Sequence, residues 1–106
     1  ITGIGYNPLG STEQFDKWFR KLRDRKAKAK ISARLRQCEI SDHITGDHHG
    51  IGGGISEMRF HFGPGYRIYY TVDNDVLVIL LIGSGKDDQS RGIAEARKLL
   101  ALYRGE

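Results

Sequence analysis

The sequence predicts an α+β domain, and three observations carry that prediction. Apolar residues repeat at helical spacing near the start of the chain, alternate with polar ones in its middle, and return to helical spacing at its end. The architecture that follows is an N-terminal helical hairpin, an antiparallel sheet of three to four strands and a C-terminal helix. With 106 residues there is room for one hydrophobic core, so residues 1–106 are read as a single domain, with residues 1–10 a variable N-terminal extension.

The first ten residues hold three Gly and one Pro, which limits any first strand to a short piece around Ile4 to Tyr6. Ser11 with Gln14 forms a capping-box pattern, and Phe15, Trp18, Phe19 and Leu22 then share one helical face, giving a helix over about 12–24. Asp24 is placed to cap a second helix, in which Ala27, Ile31, Leu35 and Cys38 form another stripe. So short a separation makes the two an antiparallel hairpin or one bent helix. Residues 41–54 carry five Gly and three His with no periodicity, and are read as a loop. ISEMRFHF (55–62) alternates as a half-buried strand does, Gly63-Pro64-Gly65 supplies a turn, and YRIYYTV (66–72) is the partner strand. On that partner Arg67, Tyr69 and Thr71 share one face, and Ile68, Tyr70 and Val72 the other. After a second turn at Asp73-Asn74-Asp75, VLVILLI (76–82) is apolar on both faces, as a central strand is. Ile93, Ala96, Leu100 and Tyr103 mark a closing helix able to cover one face of the sheet.

Charge is spread unevenly. The formal net charge is +4, yet Lys17 to Arg36 holds ten basic residues against the single acid Asp24, leaving seven basic and twelve acidic residues elsewhere. A block this positive attracts polyanions such as a nucleic-acid backbone or a ribosome, or an acidic protein. The longest apolar run, seven residues, falls well short of the roughly 20 that a spanning helix needs. With one Cys, Cys38, an internal disulfide is excluded, and the cytoplasm is the expected compartment.

Two glycine motifs carry no nucleotide chemistry. Gly83-Ser84-Gly85-Lys86 has Leu80 where a phosphate loop needs its first Gly, and Asp87 where it needs Ser or Thr. Gly50 to Gly54 lies between a loop and a strand, outside the strand–turn–helix setting of a dinucleotide fingerprint. His43, His48 and His49 with Asp42, Asp47 and Cys38 match no common zinc spacing, and neither a metal nor another cofactor is expected. What remains is a polar face carrying Arg59, His61, Arg67 and Tyr69, with Lys86 ending the adjoining strand. Arg and Lys stabilise the charge of a phosphorane, His or Tyr moves protons, and RNA brings its own 2′-hydroxyl nucleophile. Such a face suits RNA cleavage without a metal; an exposed sheet face that merely carries charge is the plain alternative.

FxxWxxxLxDxxAxxxI (15–31), GISEMR (54–59), GPGYR (63–67) and LLxGxxKxxQ (80–89) together resemble the addiction-module killer proteins of the RelE/ParE toxin superfamily, HigB-like branch, over residues 11–103. That resemblance implies a compact RelE-like fold and the toxin of a type II toxin–antitoxin system: a ribosome-dependent mRNA endoribonuclease that inhibits translation. Arg67 then matches the arginine that holds the scissile phosphate, Arg59 a Lys or Arg that aids binding or proton transfer, and Lys86 the basic position ending the last strand. No C-terminal Tyr or His acid–base group is matched, since Ile93 stands nearest to it, which leaves His49, His61 and Tyr69 for proton transfer. His49 falls where relatives carry Lys, and with Arg20, Arg23, Lys26, Lys30 and Arg34 it makes up the candidate RNA-binding set. The implied partners are a co-encoded helix-turn-helix antitoxin of HigA type, the ribosome and mRNA, with operator DNA met only through the antitoxin and no membrane. The superfamily also implies a ParE-like toxin that poisons DNA gyrase, and the basic block alone would suit a plain RNA- or ribosome-binding module.

Overall fold

The computed structural model describes residues 9–41, 43–73 and 77–106. Its elements are β1 (Leu9–Ser11), α1 (Glu13–Lys21), α2 (Arg25–Ser41), β2 (His48–Gly52), β3 (Ile55–Arg59), β4 (Arg67–Asp73), β5 (Leu77–Ser84), a single 3-10 turn at Lys86–Asp88, and α3 (Gln89–Tyr103). The expected strand around Ile4 to Tyr6 and the turn at Asn74-Asp75 lie outside the described residues.

α1 starts one residue later than the capping-box pattern places it. Thr12 is the N-cap, its hydroxyl accepting from the Phe15 backbone N–H at 3.0 Å, while Ser11 donates instead to Asp16 at 2.7 Å. At Leu22 the backbone turns extended (φ −62°, ψ 127°), so the chain forms two helices rather than one bent one. Asp24 caps the second as its spacing predicts, accepting from the Ala27 N–H at 3.1 Å.

Among the described residues the sheet has five strands in the order β1-β5-β4-β3-β2, which corrects the three- to four-stranded antiparallel expectation. β1 runs parallel to β5, so the sheet is mixed, and β4 rather than the apolar β5 is its middle strand. β2 forms where a loop was expected. It is an edge strand held by backbone pairing to β3, bulged between Gly50 and Gly52, with no buried side chain to write an apolar pattern.

Helices cover both faces. Phe15 of α1 and Ile31, Leu35 and Cys38 of α2 pack with Leu9, Met58, Phe60, Ile68, Tyr70 and Leu80 on one side. Ala96, Leu99 and Leu100 of α3 pack with Ile55, Tyr69, Ile79 and Leu81 on the other. α3 approaches closely because its Gly92 has no side chain: a Cβ there would lie 2.7 Å from the Tyr69 ring and 2.9 Å from Ser84 Cβ.

Candidate functional site

The α3 face of the sheet is apolar along most of its length and polar at one end, beside the β3–β4 turn. Register creates that end: His49 lies opposite Glu57, Glu57 opposite Tyr69, Arg59 opposite Arg67, and Arg67 opposite Ser84. Lys86 joins them from the residues after β5, its backbone N–H donating to the Pro64 carbonyl at 3.3 Å. Gly65 admits this contact. Its φ of +77° suits Gly, whereas a Cβ there would touch Lys86 Cβ only at ordinary contact distance, 3.5 Å.

At the centre is Glu57, whose side chain has 0% exposure. Arg59 Nε donates to its Oε1 at 2.9 Å, and Gln89 Nε2 at the start of α3 donates to its Oε2 at 3.0 Å. Arg67 Nη1 lies 3.4 Å from Oε2, and His49 Nε2 lies 3.4 Å from Oε1. The Arg59 guanidinium is held above its ordinary pKa, first by the hydrogen bond to Glu57. Arg67 is 13% exposed, and its Nε and Nη1 are buried with no hydrogen-bond partner among the described residues. Unsatisfied buried donors of this kind cost the fold free energy, offset in part by the charge of Glu57 beside Nη1.

Arg59, His61, Arg67 and Lys86 line one open depression of about 620 Å³ together with Phe62 and Tyr66. His61 is well exposed, and its Nε2 pairs with Asp47 Oδ2 at 2.6 Å. That hydrogen bond holds the Asp47 carboxyl below the usual carboxylate range. Lys30 Nζ of α2 lies 4.8 Å from the centre of the Phe62 ring, so the basic helix reaches the rim.

Two of the singled-out residues lie elsewhere. Tyr69 shares the face that alternation assigns it, but α3 covers that stretch. Its side chain is fully buried, its hydroxyl pairs with Ser84 Oγ at 3.1 Å, and burial raises its pKa. Arg34 is turned inward: Nε donates to the Thr45 carbonyl at 2.9 Å, Nη2 to the Asp47 carbonyl at 2.7 Å and Nη1 to the Arg59 carbonyl, while its guanidinium stacks over Phe60. Burial lowers its pKa. Arg20, Arg23, Lys26 and Lys30 are exposed along α1, the α1–α2 link and α2. The sequence alone does not single out Glu57, Asp47 or Gln89 for this site. The available signal is that Glu57 is the one acid between Asp47 and Asp73, in a stretch that holds Arg59, His61 and Arg67.

Comparison with known proteins bears on both fold and family. The fold resembles that of a double-arginine variant of E. coli toxin RelE in the free state, with a TM-score of 0.65 and 24% identity over 85% of this chain and 93% of that one. It also resembles the RelB-RelE antitoxin-toxin complex from Methanococcus jannaschii, with a TM-score of 0.62 and 17% identity over 77% of this chain and 95% of that one. An uncharacterized protein of Haemophilus influenzae is 44% identical over 97 residues, which span 92% of this chain and 95% of the relative. Residues 11–89 match the family described as the ParE toxin of the type II toxin–antitoxin system parDE. On that match, over most of its length, the chain belongs to the ParE toxin family, within the RelE/ParE superfamily of type II toxins.

Proposed function

We propose that this toxin is a metal-independent endoribonuclease that cuts mRNA on the ribosome and so inhibits translation. The observation that carries the reading is the convergence of Arg59, His61, Arg67 and Lys86 on one open depression. A phosphodiester seated there meets three cations, two of them guanidiniums, with the Asp87 carboxylate also on the lining. In the reaction the ribose 2′-oxygen attacks phosphorus, negative charge grows on the phosphorane oxygens, and the 5′-oxygen leaves. Arg67, Arg59 and Lys86 stabilise that charge, and His61, oriented by Asp47, moves a proton. Tyr69, sealed beneath α3, takes no part. Arg20, Arg23, Lys26 and Lys30 give the outer helices a surface for ribosomal RNA, and Arg34 supports the fold instead.

A co-encoded antitoxin restrains the activity. We assign it the helix-turn-helix, HigA-like class, with operator DNA bound only through it. Family membership supports such a partner.

The test is cleavage of mRNA on programmed ribosomes at constant magnesium, with the ends mapped. The expected products are site-specific cuts ending in cyclic phosphate, and Arg67→Ala should be slower by roughly 100- to 1,000-fold. Undiminished cleavage by Arg67→Ala removes that residue from the site. The match to the ParE family favours a second reading, a toxin that poisons DNA gyrase through protein contacts. Loss of supercoiling with intact mRNA would establish it in place of the first, and RNA bound without cuts would indicate a plain binding module.

A further inference from the structure

Charged groups account for only part of the depression. Phe60, Phe62 and Tyr66 lie on its lining beside Arg59, His61, Arg67 and Lys86. Phosphate oxygens gain nothing from an aromatic ring, whereas a nucleobase drawn out of its own stack gains a new one. Resting on the nuclease reading, we propose that a base flanking the scissile phosphate stacks on the ring of Tyr66, an aromatic subsite at the rim of the depression.

Of the three rings, Tyr66 is the one with room. Phe60 is 4% exposed, and the Arg34 guanidinium lies over it, 4.6 Å from its centre. Lys30 Nζ stands 4.8 Å from the centre of Phe62 and takes up a face of that ring. Among the described residues no cation lies over Tyr66, which is half-buried. Trp18 at 6.4 Å and 72°, and Phe62 at 5.9 Å and 51°, hold the ring without lying flat on it. Its backbone is fixed too, the Tyr66 carbonyl accepting from the Phe60 N–H at 2.9 Å. The preceding turn keeps clear of the ring because Gly63 has no side chain: a Cβ there would contact it at 3.5 Å. A ring held in place before the ligand arrives adds to affinity without a cost of ordering.

The two halves of a nucleotide find separate supports. Tyr66 packs with the core under α1 and α2, whereas Arg59 and Arg67 gather around Glu57 on the α3 side. The depression joins the two sides at the end of the sheet, so a nucleotide laid across it has its phosphate on the guanidiniums and its base on Tyr66. Every base has a π-face, so the subsite contributes affinity and register rather than a choice among bases.

The test is a cycle on programmed ribosomes at constant magnesium. It combines Tyr66→Leu with mRNA in which one of the two nucleotides flanking the cut keeps its ribose but carries no base. On intact mRNA, cleavage efficiency at subsaturating toxin should fall roughly 10- to 100-fold in Tyr66→Leu. The wild type should lose about as much at one of the two base-free positions, and there both changes together should cost no more than either alone. Tyr66→Phe keeps the ring and should stay near the wild-type efficiency. Losses that multiply at both positions would show that Tyr66 acts through the fold alone and overturn the proposal, as does full efficiency in Tyr66→Leu. Undiminished wild-type cleavage at both base-free positions also overturns it, and needs no variant. These results leave the nuclease reading standing, whereas a wild-type chain that cuts no RNA overturns both.

Discussion

Glu57 shows how one side chain can organise a site. A carboxylate removed from water costs several kcal/mol unless charges and hydrogen bonds replace its hydration, and here Arg59, Arg67, Gln89 and His49 do so. Glu57→Leu leaves two guanidiniums facing each other, and should lower stability by about 3 kcal/mol in urea unfolding. Arg34 makes a parallel case from the opposite sign. Its guanidinium ties the 45–47 segment and the end of β3 to α2, so Arg34→Ala should destabilise by about 2–3 kcal/mol while leaving the salt dependence of RNA binding unchanged. Asp47 gives a pH dependence. Its folded-state pKa lies below the ordinary carboxylate value, so its pairing with His61 contributes stability above that value and loses it as pH falls through the depressed one. Acid titration of the unfolding midpoint should therefore be shallower in Asp47→Asn than in the wild type.

At the scale of elements, the contact between α3 and the sheet is set by Gly92. Alanine is better than glycine in a helix by about 1 kcal/mol, yet a Cβ at this position would strike the Tyr69 ring and Ser84. Overpacking wins because both neighbours are buried: Gly92→Ala should lower stability by about 1–3 kcal/mol, measurable in denaturant. The elements that pack by side chain were legible in the sequence. Phe15, Ile31 and Leu35 announce α1 and α2, Ala96 and Leu100 announce α3, and the alternation of β3 and β4 puts Arg59 and Arg67 on one face. β2 was not legible, because an edge strand paired through its backbone needs no apolar period. Nor was the covering of Tyr69, since alternation says which face a residue takes and not how far a helix extends over it. The arginines of the site could be picked out by charge. Their shared carboxylate could not, because its importance lies in cross-strand register and a residue from α3.

For the whole molecule the sheet separates two groups of charged residues. α1 and α2, which bear the exposed cations, cover one face, and the Glu57 cluster lies on the other. Affinity and turnover should therefore be separable. Replacing Arg20, Arg23 and Lys26 together with Ala should weaken RNA binding and reduce the slope of log affinity against log salt by about 0.7 for each phosphate no longer neutralised, with the cleavage rate at saturation retained. A fall in that saturated rate as large as the fall in affinity would contradict the division.

The parallel seam between β1 and β5 has a further bearing on how this molecule comes into being. The Thr12 hydroxyl meets the Leu81 carbonyl at 2.6 Å, so residues 69 apart in the chain must find each other before the sheet closes. Lys86 and Gln89 follow only after that stretch has been synthesised. A growing polypeptide therefore completes the Glu57 cluster last, and a chain still lacking Lys86 and Gln89 has neither that carboxylate fully paired nor its sheet closed.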